Sequence, residues 1–454
     1  MSAHFQLAVI GSGSAGKEAA LCAARHGIST VLIEKDVLGG TCFHRGCIPV
    51  RALRACAQAR KFASRSTRFG LRLEDASATL PDWLSTRWKA SARAAEYLHK
   101  QLETAKVCLR YGHAQFIEAN RLRLSDPYGQ ERDLTADHVI LATGSRPAFS
   151  SHESGQLLNS DGLLRHNEVP RRLFIIGAGY IGCEFASIYR ALGSEVTLIE
   201  KEDRLLPGWD ELAGASIADG LKSNGVRIMF NEEVDPTSLT TGPNSEVLVP
   251  TSAGSLPASL VLVATGRKPN CEDLGLGNVG IEAPWFVHVD EHMRTSRHNV
   301  FAVGDLNGIC LLDSTAAWQA RIAVEAILGS RARFDLRWVP KCIHTEPPVA
   351  SVGWTEREAI EAGSAVVVAT ETGRFITEEE STVVDPEPTT VKLVAKSKGD
   401  RILGCLAIGP QAGEIVNLAS SCLQLDGSLS RLDRIPFVHP SAAEALQRCA
   451  NRLF

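Results

Sequence analysis

Two stretches of this sequence share one pattern, and together they decide the fold. The first is Leu7-Ala-Val-Ile-Gly-Ser-Gly-Ser-Ala-Gly16, and the second is Leu173-Phe-Ile-Ile-Gly-Ala-Gly-Tyr-Ile-Gly182. Each continues through a helical stretch into a second apolar run, which ends in Glu34 or Glu200 at the same spacing from the last glycine. We interpret them as two copies of one strand–turn–helix–strand unit, the opening unit of a dinucleotide-binding sheet.

The motif glycines explain why such a unit binds a nucleotide. Glycine permits the tight turn, lets the backbone approach a pyrophosphate and seats the helix against the sheet. The helix N-terminus offers N–H groups and a positive dipole end to the phosphates, and the terminal carboxylate accepts from ribose hydroxyls. The predicted binding residues are Gly11, Gly13, Gly16 and Glu34 in the first copy, and Gly177, Gly179, Gly182 and Glu200 in the second. A carboxylate at Glu200 would repel a 2'-phosphate, which favours NAD over NADP.

Three further apolar runs that end in glycine indicate the domain order. The segment Val139–Pro147 closes the first unit with Thr143 and Gly144, and a similar run before Gly266 closes the second unit. The run that ends in Gly304-Asp305 repeats the pattern, with an acid placed to bind a polyol. We therefore expect the first nucleotide domain to be interrupted by the second.

The predicted fold is α/β, with two Rossmann-like dinucleotide-binding domains and a C-terminal α+β domain. The first nucleotide domain takes residues 1–147 and 269–336, and the second takes 148–268. From residue 337 to 454 the pattern changes to a mixture of strands and helices, which we assign to the separate C-terminal domain.

Composition excludes several classes of protein. The chain has 454 residues, of which 44% are apolar and 22% charged, and its net charge of -4 leaves no basic surface for nucleic acid. Apolar runs have the length of strands, so we expect no membrane span, and the early strand at Leu7 leaves no room for a signal peptide. Twelve scattered cysteines are typical of a reducing compartment, so we predict a cytoplasmic protein.

A pair of cysteines follows the first acidic residue. Cys42 and Cys47 lie in the segment Gly39–Pro49. On an ideal helix their Cα atoms would be about 8–9 Å apart, whereas a disulfide needs less than about 7 Å. Gly46 and Pro49 supply the distortion that a bridge requires. Two buried core cysteines are the alternative, but the flanking glycines and the preceding nucleotide motif favour a redox pair. No second cysteine or histidine pair has zinc-ligand spacing, so no metal site is predicted.

From the first glycine motif to the C-terminus, the sequence resembles the class I pyridine-nucleotide disulfide oxidoreductases, and their dihydrolipoamide dehydrogenase branch best. The segments that carry the resemblance are Gly39–Pro49, Ala142–Pro147, Gly177–Phe185, Gly304-Asp305, Thr345–Glu356, Ile408–Glu414 and His439–Glu444. The resemblance implies that the first nucleotide site holds FAD and the second holds the nicotinamide cofactor. It also implies that the C-terminal domain forms a homodimer.

The resemblance also assigns roles to individual residues. Cys42 would exchange with the substrate and Cys47 would lie against the flavin. His439 would be the acid/base, polarised by Glu444, and would reach the disulfide of the other subunit. Arg51 stands where relatives have a flavin-side lysine, and we expect it to pair with Glu184.

Other departures from the family leave the substrate open. Asp313 stands where relatives often carry a histidine, Phe437 replaces a second histidine, and Ser441 replaces a threonine. The leading hypothesis is oxidation of a dihydrolipoyl group, free or on a carrier protein, with NAD as acceptor. The alternatives are a related disulfide or metal-ion reductase, or a redox-retuned FAD- and NAD-binding regulator with weak turnover. Mercuric-ion reduction is disfavoured because the tail has only Cys449, not a cysteine pair.

Overall fold

The structure is a computed structural model that describes residues 3–70, 80–150, 155–242, 246–374, 387–425 and 427–453. It divides into two compact units. The first unit comprises Met1–Leu53, Pro81–Ala148 and Arg267–Leu336. The second comprises Arg54–Leu80, Phe149–Gly266 and Arg337–Phe454.

The described residues contain long runs of strands as well as stretches in which strands and helices alternate. The strands are β1 Ala3–Ile10, β2 Thr30–Glu34, β3 Cys108–Tyr111, β4 His113–Glu118, β5 Arg121–Ser125, β6 Glu131–Leu141, β7 Ser145–Pro147, β8 Leu157–Leu158, β9 Arg172–Ile176, β10 Glu195–Ile199, β11 Arg227–Met229, β12 Thr240–Thr241, β13 Val247–Thr251, β14 Gly254–Ala258, β15 Leu260–Val263, β16 Arg267–Pro269, β17 Val300–Ala302, β18 Lys341–Ile343, β19 Val349–Gly353, β20 Val366–Gly373, β21 Thr389–Lys396 and β22 Ile402–Ile408. The helices are α1 Ser14–Arg25, α2 Gly40–His44, α3 Cys47–Ser64, α4 Leu80–Thr104, α5 Ser160–Arg165, α6 Tyr180–Ala191, α7 Glu211–Ser223, α8 Asp313–Ile327, α9 Glu356–Glu361, α10 Ala412–Gln424, α11 Leu429–Arg434 and α12 Glu444–Leu453.

The first unit is built on a seven-stranded sheet in the order β3-β2-β1-β6-β5-β4, with β17 also paired to β6. The strands β3, β2, β1, β6 and β17 run parallel, and β4 and β5 are antiparallel additions. Leu7 and Val9 of β1 pack into one apolar core, whereas Ala8 and Ile10 pack into another. This alternation puts a core on each face of the sheet, as expected for a parallel sheet.

The second unit contains two main sheets. One is a five-stranded parallel sheet in the order β11-β10-β9-β15-β8, which carries the second glycine motif after β9. The other is a five-stranded antiparallel sheet in the order β18-β19-β22-β21-β20, against which α10 and α12 pack. Together with the first unit, this confirms the predicted α/β class with two Rossmann-like sheets and a C-terminal α+β region.

At the glycine turns that follow β1 and β9, backbone atoms lie very close together. A Cβ on Gly16 would lie 1.7 Å from the carbonyl oxygen of Gly11, and a Cβ on Gly182 would lie 1.9 Å from that of Gly177. Gly11 and Gly177 have φ values of +100° and +97°, a conformation that favours glycine. The two copies therefore use the same backbone path.

Among the described residues, no helix is both long and apolar enough to cross a membrane.

The close packing at the second turn generates a stability prediction. We expect Gly182→Ala to lower the free energy of unfolding by about 1–3 kcal/mol, because its methyl group must displace backbone atoms. Thermal unfolding without added NAD measures this. Gly179→Ala is the matched control, because a Cβ there meets nothing within 4 Å and its φ of -69° is unstrained. Equal melting temperatures for the two variants would contradict the argument.

Candidate functional site

The two cysteines of the predicted redox pair lie at a break between two helices. Cys42 is in α2, and Cys47 is the first residue of α3. The break falls at Arg45-Gly46, which lie between the helices. Pro49 is in the first turn of α3, where a missing N–H costs no helical hydrogen bond, so Gly46 and not Pro49 marks the distortion. The break lets the two sulfurs approach closely.

The pair has a third close neighbour, Asp313. The Sγ atoms of Cys42 and Cys47 and a carboxylate oxygen of Asp313 all lie within 4.8 Å of one another. A hydrogen bond between the two cysteines raises the pKa of the Cys42 thiol most, followed by burial, then by the charge of Cys47 and then by the charge of Asp313. Cys42 is half-buried and Cys47 is exposed. The arrangement fits a thiol pair that can open and close as a disulfide, with reagents reaching it from solvent.

The first glycine turn forms an open cradle in front of α1. The buried Glu34 carboxylate accepts from the N–H and the hydroxyl of Ser12, at 2.9 and 2.5 Å, and so ties the end of β2 to the turn. A Cβ on Gly13 would meet nothing within 4 Å, so there is free space at the helix N-terminus. This space, with N–H groups at its edge, fits a pyrophosphate.

In the first unit, hydrogen bonds also hold the other residues that the sequence predicts to bind the cofactor, Thr143 and Asp305. The Thr143 hydroxyl donates to the carbonyl of Asn270 at 2.7 Å, and the amide of Asn270 donates to the carbonyl of Thr143 at 2.8 Å. Gly144 follows with a φ of +69° and open space at its Cβ position. The Asp305 carboxylate accepts from the Ser145 hydroxyl at 2.6 Å, and burial raises the pKa of this acid.

The second glycine turn repeats the cradle. Glu200 is buried and accepts from the N–H of Ala178 at 2.7 Å, which matches the contact of Glu34 with Ser12. Open space surrounds the Cβ positions of Gly179 and Gly266. Each Glu200 oxygen has two lone pairs, so the carboxylate retains acceptor capacity for ribose hydroxyls.

Glu184 lies on α6 and accepts from the backbone N–H of His344 at 2.8 Å. Burial raises the pKa of this carboxyl, whereas that hydrogen bond and the charge of Arg54 lower it. Arg54 is therefore one arginine that acts on Glu184. Arg51, one turn earlier on α3, has an exposed side chain, and its pairing with Glu184 stays a prediction.

The C-terminal histidine is coupled to its predicted carboxylate. His439 Nδ1 lies 3.0 and 3.2 Å from the two carboxylate oxygens of Glu444, and the ring is 79% exposed. Glu444 is the first residue of α12 and also accepts from the N–H of Ser441 at 2.9 Å. Burial opposes the ionisation of Glu444, but these hydrogen bonds and the nearby Arg448 hold its pKa below the ordinary value. The carboxylate thus orients an imidazole whose ring is presented to solvent.

Other cysteines of the chain are partly or fully buried and have no role in the predicted redox pair. Burial raises the pKa of Cys342 to about 11 and raises the pKa of Cys183 and Cys405 further. Thiols of this kind are poor nucleophiles near neutral pH.

Sequence reasoning missed several residues that support the site. Ser12 lies inside the first motif and could have been noticed as the only hydroxyl between its first two glycines. Asn270 and Ser145 follow turn glycines and brace the segments around Thr143 and Asp305. The resemblance singled out Asp313 as the replacement of a histidine, but it did not predict that this carboxylate would lie beside the cysteines.

Comparison with known proteins identifies the family. The family model "Pyridine nucleotide-disulphide oxidoreductase" matches residues 5–324, and the dimerisation domain of the same family matches residues 339–450. The chain belongs to this family. It is accordingly an FAD- and NAD-using disulfide oxidoreductase with a dimerisation domain, as the sequence predicted.

Relatives match over the whole chain. A dihydrolipoyl dehydrogenase from Chlorobaculum tepidum is 32% identical over 99% of this chain and 97% of its own length. The crystal structure of LpdA from Mycobacterium tuberculosis has a TM-score of 0.90 at 27% identity and covers 100% of both chains. The flavoprotein disulfide reductase RclA from Escherichia coli has a TM-score of 0.84 at 26% identity, covering 98% of this chain and 99% of its own.

The two cradles yield a binding prediction for this oxidoreductase. We expect Gly179→Ala to weaken NAD binding by about tenfold or more, because a methyl group would fill space that a pyrophosphate needs. Isothermal titration of the oxidised enzyme with NAD measures the Kd. Gly13→Ala is the matched control, since it alters the other cradle and should leave this Kd unchanged. An unchanged Kd for Gly179→Ala would place NAD elsewhere.

Proposed function

We propose that this protein oxidises dihydrolipoyl groups, free or on a carrier protein, and passes the electrons to NAD. The observation that carries the proposal is the close approach of Cys42 and Cys47 at a helix break in the unit that also holds the first nucleotide cradle. The similarity to dihydrolipoyl dehydrogenases over the whole chain supports this choice of substrate.

The cysteines would act in sequence. A thiolate of the substrate attacks the Cys42 sulfur, breaks the bond to Cys47 and forms a mixed disulfide. The second substrate thiol then attacks its own sulfur on that mixed disulfide and releases cyclic disulfide product. Cys42 is assigned to the exchange, because the resemblance places Cys47 against the flavin.

The cofactor assignments follow the two cradles. FAD would lie against Gly11, Gly13, Gly16, Glu34, Thr143, Gly144 and Asp305, with Arg51 and Glu184 on the flavin side, and NAD against Gly177, Gly179, Gly182, Glu200 and Gly266. The open space at Gly13 and the buried carboxylate of Glu34 are compatible with this placement. When bound, FAD supplies the electron transfer between the dithiol and the nicotinamide.

The proton chemistry would belong to His439. A substrate thiol is a weak nucleophile until it loses its proton, so the reaction needs a base. The contact of Nδ1 with Glu444 fixes the orientation of the imidazole and leaves Nε2 to take the proton. We assign this base to the disulfide of the partner subunit, so that a homodimer with shared active sites is the functional form.

The same proposal includes the boundaries of the three domains and the location of the protein in the cell. We assign residues 1–147 and 269–336 to the FAD-binding domain, 148–268 to the NAD-binding domain and 337–454 to the dimerisation domain. We also propose a cytoplasmic location, since the twelve cysteines are scattered along the whole chain, as is typical of proteins from a reducing compartment.

The cysteine roles are tested by substitution. We expect Cys42→Ser and Cys47→Ser each to reduce dihydrolipoamide-dependent NADH formation by a factor on the order of a thousand or more, because neither variant can form the disulfide. Cys271→Ser is the control. Burial raises the pKa of the Cys271 thiol and it has no assigned role, so activity should persist. A Cys47→Ser variant as active as the wild type would end the proposal.

The shared active site is tested with mixed dimers. We expect His439→Gln to lower kcat/KM by about 10²–10⁴, the usual contribution of a general base. Dimers that combine one Cys42→Ser subunit with one His439→Gln subunit should regain about half of the wild-type activity, because one of their two sites is then intact. If each site lies within one chain, the mixed dimers stay inactive.

A further inference from the structure

A row of charged side chains extends along one face of α12 from the proposed base pair. Glu444, Arg448 and Arg452 follow one another at four-residue spacing, so they lie on the same side of the helix. The proposed function uses only the first of them, whose carboxylate oxygens lie 3.0 and 3.2 Å from Nδ1 of His439. It gives the two arginines no role.

Arg448 lies between two carboxylates. Its Nη2 atom is 3.6 Å from an oxygen of Glu444, and its Nη1 atom is 3.9 Å from an oxygen of Glu371 on β20. The side chains of the two acids are only 15% and 13% exposed, whereas that of Arg448 is 53% exposed. A cation is therefore placed beside the carboxylate that orients the imidazole.

Arg452 shares the second acid with Arg448 but not the first. Its Nη2 atom lies 2.7 Å from Glu371, and its Nη1 atom donates to the carbonyl of Thr370 at 3.1 Å. It stands two turns beyond Glu444, roughly 12 Å along the helix axis. Both arginines thus contact β20, but of the two it is Arg448 that lies within 4 Å of Glu444.

Several neighbours stabilise the ionised form of Glu444. The N–H of Ser441 donates to its carboxylate at 2.9 Å. Its place as the first residue of α12 sets it at the positive end of the helix dipole. Arg448 adds a full positive charge. The carboxylate therefore interacts with two groups at once, the imidazole on one side and the guanidinium on the other.

This shared interaction affects the proton that the imidazole takes up. A protonated imidazole is stabilised by an opposite charge close to it and destabilised by a like charge. Glu444 has the first effect, and Arg448, on the same carboxylate, has the second. With the arginine in place, the imidazole therefore gives up its proton more readily than it would beside the carboxylate alone.

We propose that Arg448 is a positioning residue for the pair of His439 and Glu444, whose charge limits how tightly the imidazole holds the proton taken from the substrate. The proposal rests on the proposed function, because it concerns the base assigned there. It goes beyond that function by giving a role to a side chain that acts through Glu444 and does not touch the reacting atoms in the proposed scheme.

Other charged groups surround this pair within the same chain. The elements packed against α12 are β20, β21 and α11. Their charged residues are Glu371 of β20, Lys392 and Lys396 of β21, and Arg431, Asp433 and Arg434 of α11. All of them are retained when Arg448 or Arg452 is replaced.

Further groups come from the other subunit. In the proposed dimer the imidazole also meets the partner's Cys42, the partner's Cys47, the partner's Asp313 and the partner's Arg51. These groups contribute to the proton affinity of the base, but they are identical in the wild type and in every arginine variant. A difference between two arginine variants therefore reports the arginine that was replaced.

The experiment measures kcat/KM of the holoenzyme for dihydrolipoamide as a function of pH. The acid limb of this profile reports protonation of the base in the free enzyme. Loss of the cation stabilises the protonated imidazole, so Arg448→Met should move the acid limb to higher pH by about half a unit, the strength of an exposed ion pair. Activity at a pH below the limb then falls about threefold. Arg448→Lys keeps the charge and should restore most of the wild-type profile.

Arg452→Met is the matched control. It removes the same charge from the same face of α12, and it breaks the shorter of the two arginine contacts with Glu371. If the arginines only join α12 to β20, both Met variants lower the melting temperature and neither moves the acid limb. A wild-type acid limb in Arg448→Met, or equal shifts in the two Met variants, overturns the inference.

A second substitution keeps the inference testable if Arg448→Met does not fold. Glu371→Gln removes the other carboxylate that contacts Arg448, so the guanidinium acts on Glu444 without a competitor. We expect the acid limb to move in the opposite direction, to lower pH, by a few tenths of a unit. No shift, or a shift to higher pH, contradicts the proposed role.

Failure of the proposed function is recognised separately. His439→Gln removes the base, so the acid limb should disappear from its profile. If the limb persists in that variant, another group is the base and the proposed function is wrong in this assignment. If the limb depends on His439 but not on Arg448, only the present inference fails.

Discussion

Both nucleotide cradles depend on a close approach between a glycine at the start of a helix and the carbonyl oxygen of the first motif glycine. The space for a Cβ on Gly16 is already occupied by the carbonyl oxygen of Gly11, and the same holds for Gly182 and Gly177. Because the helix comes this close to the turn, its free N–H groups face the open space in front of the strand. The buried carboxylates Glu34 and Glu200 then fasten the second strand to the turn through one N–H each.

The sequence predicted those features of the fold and the site whose interacting residues lie close together along the chain. The glycine turns and their acids lie within one local unit, so spacing alone predicted them. The contact of Asp313 with the cysteines could not be predicted in this way, because Asp313 is separated from Cys47 by 266 positions. The break between α2 and α3 was expected from Gly46, whereas Pro49 has its place in an ordinary first turn.

The cysteine thiols of this chain lie in different environments. Buried thiols such as Cys183 and Cys405 have strongly raised pKa values and lie in apolar cores, where no reagent reaches them. The pKa of Cys42 is raised as well, so Cys42 and Cys47 differ from these thiols in their closeness to each other, their accessibility and their charged neighbour. The C-terminal imidazole of His439 is likewise exposed, while its carboxylate partner is largely covered. The residues to which the proposal assigns chemistry are therefore set apart from others of the same type by their exposure and pairing.

The near identity of the two glycine turns has a consequence for protein engineering. Both offer backbone N–H groups and open space, which are the same in each copy, so the turns themselves carry little information about which dinucleotide belongs where. If the proposed cofactor sites are right, discrimination between a flavin and a nicotinamide comes from the residues beyond the turn, such as Asp305 with Ser145 in the first unit and the surroundings of Glu200 in the second. An attempt to exchange cofactor preference should leave the glycines untouched and redesign those walls.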